Sequence, residues 1–345
     1  MSEPLLEIRD LNVVYHADRG PLPALRDVNL DLAEGEIVGI VGESGCGKST
    51  LSTTILRLLP PNGEIVGGTM RYRGRDIVAM TTEQVRALRG SEISMIFQDP
   101  LTSLNPTFTV WSQLRDAVRA HGGQASGRGD VRRRAVDALS GVGIPDPVDA
   151  LGDYPHQFSG GMRQRIMIAA SLLLRPAMLI ADEPTSALDV TLQAQIVSLL
   201  ARLRRQHGTS ILFISHDLGL VAQLCDRVVV MYCGQVVESG SVLDVYERPR
   251  QPYTRALLSS IPSRDRRGER LAAIAGRVPS LSALPSGCSF NDRCRFARDV
   301  CREVAPQLVG DGAHDARCLA YEPDSGHPGL VEADEAAASG TAVDE

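Results

Sequence analysis

Apolar and polar residues along this chain follow two periods. LLEIRDLNVVY (5–15), ALRDVNLDL (24–32) and EIVGIV (36–41) carry the alternation or the short unbroken apolar run of strands. ISMIF (93–97), AMLIAD (177–182), SILFIS (210–215) and RVVVMY (227–232) do the same further on, separated by stretches of helical period. Lys48 to Leu59 predicts a helix directly after the third strand. Strands alternating with helices predict an α/β sheet. Between ISMIFQ and AMLIAD, by contrast, a polar, arginine-bearing segment contains no strand pattern, which predicts a helical insertion over about 99–175. Past Pro249, YTRALLSSIP predicts one more helix, and then an arginine-rich linker leads to a cysteine-rich stretch.

With 345 residues, 43% of them hydrophobic, the chain can bury one large core or two domains. No apolar run approaches the ~18 residues of a membrane span, and the acidic start MSEPLLEIRD does not resemble a signal peptide, so neither is expected. The formal charge of −6 resides in the six acids from residue 323 to 345, which predict a disordered acidic tail. The remaining near-neutral body offers no basic field for nucleic acid, and Arg132 to Arg134 and Arg264 to Arg270 read as solvated faces. Seven cysteines, an odd number without a secretory signal, argue against a disulfide scaffold.

Chemistry enters at GESGCGKST (42–50), which fits the spacing G-x-x-x-x-G-K-S/T between a strand and a helix. Glycines there let successive amides of Gly42, Ser44, Gly45, Cys46, Gly47 and Thr50 turn inward, and the helix adds its positive end. Such a nest suits a polyphosphate such as that of ATP. Lys48 would reach the β and γ phosphates, and the Ser49 hydroxyl would ligate Mg2+. Cys46 reads as a small filler whose backbone matters. AMLIADEP then ends an apolar strand in two acids, Asp182 for the metal side and Glu183 as general base for the attacking water.

FSGGMRQR (158–165), between the phosphate loop and the Asp-Glu strand, resembles the signature motif of ABC-type ATPases. Ser159, Gly160, Gly161 and Met162 open a predicted helix through Leu174, presenting a hydroxyl and bare amides at a positive helix end. The resemblance implies a RecA-like phosphate-loop core with an antiparallel β part and an inserted helical subdomain. It also implies that this helix end addresses ATP held by a second subunit. By the same resemblance Gln98 contacts Mg2+ and water, Asp189 in SALD belongs to a dimer-contacting loop, His216 in FISHD contacts the γ phosphate, and Tyr15 stacks on adenine.

The signature departs from the commonest Leu-Ser-Gly-Gly-Gln at Phe158 and Met162. With FQDPLTSLNPTFTV, DEPTSALDVT and QPYTRALLSSIP it is similar to ATPase subunits of oligopeptide and dipeptide importers, over roughly residues 4 to 322. This resemblance divides the chain into an ATPase domain (4–255), a C-terminal extension (256–322) and the tail (323–345). It implies ATP hydrolysis coupled to peptide import at the cytoplasmic face of the inner membrane. The implied partners are a related, non-identical ATPase chain, two transmembrane permease subunits and an extracytoplasmic substrate-binding protein.

In the extension, Cys288, Cys294, Cys301 and Cys318 are spaced C-x5-C-x6-C-x16-C. The gaps exceed tight zinc knuckles, so a 4Fe-4S cluster, zinc, and reduced or redox-active thiols all stay open, with Arg293, Arg295 and Arg298 expected to offset thiolate charge. Two other readings compete with the peptide importer: a soluble ABC-type ATPase acting on DNA or ribosomes, and an importer of nickel or another small solute. Neither long heptads nor a second cassette, marks of the first, occur.

Overall fold

The computed structural model describes residues 3–18, 20–98, 103–121, 128–186, 188–260 and 274–330. Its strands are β1 (Leu6–Ala17), β2 (Gly20–Leu32), β3 (Ile37–Val41), β4 (Gly63–Tyr72), β5 (Arg75–Asp76), β6 (Ile93–Ile96), β7 (Met178–Asp182), β8 (Ser210–Ile214), β9 (Arg227–Tyr232), β10 (Gln235–Ser241), β11 (Leu308–Gly310) and β12 (His314–Arg317). The helices are α1 (Lys48–Ile55), α2 (Thr82–Leu88), α3 (Val110–Ala120), α4 (Arg128–Gly141), α5 (Pro147–Ala150), α6 (Gly160–Leu172), α7 (Val190–His207), α8 (Leu218–Leu224), α9 (Val242–Glu247), α10 (Pro252–Ser259) and α11 (Val300–Glu303).

Two sheets result. One is antiparallel, ordered β2-β1-β4-β5, and the other is mixed, ordered β11-β12-β10-β9-β3-β8-β7-β6, with its β9-β3-β8-β7-β6 part parallel. The parallel strands read as unbroken apolar runs because both their faces are covered. Alternation sends Ile37, Val41, Leu179, Ala181, Ile211 and Phe213 into a core on the helical side. Val38, Ile40, Met178, Ile180, Leu212 and Ile214 enter a second core, shared with Leu6, Ile8 and Leu51. Each fully buried Ile or Leu contributes roughly 1.5–3 kcal/mol, so this parallel stack rigidly fixes the loops at its carboxyl ends.

Four sequence expectations change. The helix expected to Leu59 stops at Ile55, because Arg57 turns to φ +52° and Pro60 and Pro61 follow. The Gly-rich GEIVGGTMRY, which the sequence reading passes over, forms β4 on the edge of β1, its exposed alternate positions hiding the strand signal. A boundary at 255/256 falls inside α10, and the region beyond it adds β12 to β10 rather than standing apart. There Glu238, wholly buried, accepts from the amides of Arg250 (2.7 Å) and Gln251 (3.0 Å) and pairs with His314 Nε2 at 2.8 Å.

The fourth change concerns the tail. Residues up to Leu330 are placed, with Leu330 buried beside Phe296 and Ser325 Oγ donating to the Leu319 carbonyl at 2.6 Å. The tail expectation therefore applies only from 331, outside the described residues, as does the arginine cluster Arg264 to Arg270.

Candidate functional site

The loop from Gly42 to Gly47 leaves the carboxyl end of β3 and enters α1. Gly42 takes φ +149° and a Cβ there would lie 2.3 Å from the Met231 carbonyl oxygen; Gly47, at φ +108°, caps α1 with no side chain of its own. A side chain at either position would break the loop, and the bare cap leaves the first amides of α1 available to an anion. Lys48, buried, donates from Nζ to the carbonyls of Gly42 (2.7 Å) and Glu43 (3.1 Å). Cys46 is buried beneath the loop, burial raises its thiol pKa, and its carbonyl accepts from the Gly234 amide.

Strand ends bring the other groups to this loop. Gln98 follows β6, Asp182 ends β7 with Glu183 next, and His216 follows β8. Ser44, Gly45, Gly47, Lys48, Ser49, Thr50, Gln98, Glu183 and His216 line one pocket of about 350 Å³. Ligands bind outside the carboxyl ends of such parallel strands by the same geometry. Gln98 Nε2 donates to Glu183 Oε2 at 3.1 Å, and His216 Nδ1 lies 3.5 Å from that same oxygen. Glu183 holds φ +46°, a left-handed backbone uncommon outside glycine, pinned by its amide to the Ile214 carbonyl at 3.0 Å. That strain turns its carboxylate out of the β7 direction into the pocket.

Asp182 sits below. Burial raises its pKa against the lowering effect of hydrogen bonds from Ser49 and Ser52, and its Oδ1 is buried without a hydrogen-bond partner. A buried carboxylate oxygen lacking a partner beside the Ser49 hydroxyl is suited to a hard divalent cation. Tyr15 stands at the margin, its hydroxyl donating to Thr50 Oγ1 at 3.3 Å.

The remaining expected residues are not gathered there. Ser159 caps α6, accepting from the Met162 amide at 3.3 Å, and Ser159 and Gly160 are exposed away from the pocket lining. Asp189 caps α7 by accepting from the Leu192 amide at 2.9 Å. Sequence reasoning missed Gln164, buried on α6, whose Nε2 donates to the Pro184 carbonyl at 2.7 Å and so ties the signature helix to the segment after Glu183. Its place two residues past Met162 on a helix whose other face is apolar was the available signal. A larger cleft, about 540 Å³, lies between α4, α6 and α7 with Arg133, Arg134 and Arg175 on its walls; it collects none of the phosphate-loop or strand-end groups.

Cys288, Cys294, Cys301 and Cys318 do line one small, largely apolar cavity with Phe290, Phe296 and Leu319. The expected cluster or zinc nevertheless finds no ligand group: among the described residues no three Cys, His, Asp or Glu side chains are grouped to hold a metal ion. Burial raises the Cys288 thiol, pushes Cys294 up to about 11 and Cys318 to about 12, and all seven cysteines are free. The expected charge role of Arg293 is also corrected, since its guanidinium pairs with Glu43.

Comparison with known proteins agrees with this geometry. Residues 25–186 match the family model described as ABC transporter, and residues 237–301 match the one described as oligopeptide/dipeptide transporter, C-terminal region. A chain of Sinorhizobium fredii, whose name reads peptide ABC transporter ATP-binding protein, is 50% identical over 92% of this chain and 95% of its own length. The dipeptide transport ATP-binding protein DppD of Bacillus subtilis is 44% identical over 94% and 97%. Among solved structures, the dimeric cassette MJ0796 bound to ADP and Pi superposes with a TM-score of 0.62 at 26% identity, covering 69% of this chain and 98% of that one. The structure of cbiO1 from Clostridium perfringens, part of the ABC transporter complex cbiONQ, gives 0.62 at 29%, covering 72% and 93%.

Proposed function

The chain belongs to the ATP-binding subunits of peptide ABC transporters, and on that premise we propose that it hydrolyses ATP to drive import of oligopeptides or dipeptides. The observation that carries this reading is the single pocket uniting the phosphate loop with Gln98, Glu183 and His216. Loop amides and Lys48 bind the phosphates, replacing the Gly42 and Glu43 carbonyls that now hold the lysine. Glu183 takes a proton from the attacking water, while Gln98 and His216 orient the carboxylate and the γ phosphate. Ser49, Asp182 and Gln98 fit a Mg2+ ion, which when bound offsets phosphate charge. Tyr15 supports the adenine.

Ser159, Gly160, Gly161 and Met162 stand outside their own pocket, and this separation supports a head-to-tail pair in which each signature helix completes the other chain's site. Asp189 anchors the loop facing that partner. We assign residues 4–255 to the ATPase, α3 to α6 to its helical insertion, and the region from 256, joined to the ATPase through α10 and β12, to the oligopeptide-type extension. The partners in this reading are a related, non-identical ATPase, two permease subunits and an extracytoplasmic binding protein, with the chain peripheral on the cytoplasmic face; no helix among the described residues is long and apolar enough to cross a membrane. The exposed Phe97, beside Gln98, and Phe108 support a protein neighbour at that end of the molecule. The one observation in favour of a 4Fe-4S cluster is that the four cysteines that would ligate it line one cavity; iron and acid-labile sulfide in anaerobically purified protein would support it, and their absence would reject it.

The function is tested by reconstitution. Membrane subunits co-purify with the chain, and ATP hydrolysis in proteoliposomes rises with loaded peptide-binding protein. Tight DNA or ribosome binding without membrane subunits, or stimulation by nickel and not by peptide, would reject it.

A further inference from the structure

Glu43 is an acid inside a loop built for anions. Its neighbours Ser44 and Gly45 line the pocket, whereas Glu43 does not. Its amide and its carboxylate are held from outside the loop, while its carbonyl also accepts from the Cys46 amide within the turn at 3.3 Å. The amide donates to the Tyr253 hydroxyl at 2.8 Å, the carbonyl accepts from Lys48 Nζ, and the carboxylate pairs with both terminal nitrogens of Arg293, at 2.7 and 3.0 Å.

Arg293 comes from 250 positions further along the chain. Its side chain is only 4% exposed. It is seated over Tyr232 and Phe290, donates to the Tyr232 hydroxyl at 3.2 Å, and donates from Nε to the Ala275 carbonyl at 2.9 Å. The two-pronged guanidinium–carboxylate pair has fixed geometry; the guanidinium is buried and the Glu43 side chain is 26% exposed, so it is Arg293 that would be stranded by loss of its partner. Arg293 also lies between Asn291 and Cys294, both of which face the four-cysteine cavity. The turn that carries Arg293 thus borders the cavity through Asn291 and Cys294 and touches the phosphate loop through Glu43.

We infer that Arg293 is a positioning residue for the phosphate loop: it neutralises the Glu43 carboxylate, turns it away from the pocket, and so lets the loop accept polyphosphate. The inference rests on the ATP reading of the pocket. Without Arg293 the carboxylate is freed one residue from Ser44, where it opposes the charge of bound phosphate and loosens the loop.

The test is ATP affinity of the full chain, by calorimetry with Mg2+, beside its melting temperature. Arg293→Met is expected to weaken ATP binding about tenfold, and adding Glu43→Gln to recover it to within about threefold of wild type, because the repelling charge is then gone. A merely structural role predicts the opposite: lowered melting with unchanged affinity, or a second substitution that multiplies the loss. Either outcome overturns the inference. Should Arg293→Met not fold, Arg293→Lys decides, since a single ammonium cannot form the fork; it is expected to weaken binding about threefold, and wild-type affinity would overturn the proposal. Failure of the wild-type chain to bind ATP at all would instead reject the pocket reading itself.

Discussion

The N-termini of α1 and α6, capped by Gly47 and Ser159, are built to opposite ends. At α1 the capping residue is Gly47, so its free amides open into a pocket already walled by Gln98, Glu183 and His216. At α6 the capping residue is Ser159, whose own hydroxyl takes the Met162 amide, and Ser159 and Gly160 are exposed outside the pocket. The first is a site within one chain, and the second is satisfied by its own cap. What differs is not helix chemistry but what the sheet places in front of each helix: the ends of β6, β7 and β8 form a pocket with the start of α1, and Ser159 does not line that pocket. On the proposed head-to-tail pairing, this difference is what makes each pocket a half-site.

The sharpest way to break the comparison is at Glu183. Glu183→Gln is expected to lower turnover about 10²- to 10⁴-fold while ATP affinity stays within about twofold; unchanged hydrolysis, measured by phosphate release, would remove it from the base role. Lys48→Ala acts earlier, on the α1 side alone, and loss of a charge-assisted contact should weaken ATP binding by roughly 10- to 100-fold in calorimetry. The α6 side should behave inversely. Ser159→Ala is expected to leave single-chain ATP affinity unaltered, to lower stability by about 1 kcal/mol through the lost cap, and to reduce hydrolysis about tenfold in the assembled transporter. If it weakened ATP binding to the isolated chain, the two helix ends would not be separate sites.

Asp182 carries the smallest expected effect. Because burial raises its pKa, the native chain holds this proton more tightly than the unfolded one. Its destabilising contribution is absent below the ordinary carboxylate range and grows as pH rises through the raised value. Asp182→Asn should therefore raise the metal-free melting temperature near neutral pH by about 1–3 °C and lose the extra stabilisation that Mg2+ adds to ATP. A lowered melting temperature without metal would show that the charge is compensated natively.

Much of this was legible in the linear order of residues. The phosphate loop, the Asp-Glu pair and the signature each depend on neighbours within about ten positions, and local backbone chemistry fixes what a strand–glycine–lysine–helix run can hold. The short apolar runs of β3, β7 and β8, separated by helical stretches, announced an α/β sheet for the same reason. Less local features were harder to read. β4 was hidden by its glycines and exposed positions, and Arg293 was assigned to thiolates because the cysteines are its neighbours in sequence.

The sequence by itself thus determined which short segments are candidates for phosphate, base and metal chemistry, since those needs are met by residues a few positions apart. Only the tertiary structure decided which segments face one another. It joined Gln98, Glu183 and His216 in one pocket, left Ser159 outside it, strained Glu183, and bound Arg293 to Glu43 across 250 positions. Such pairings are set by strand order and by the burial of charged groups that must find partners, quantities that belong to the packed sheet and not to any window of residues.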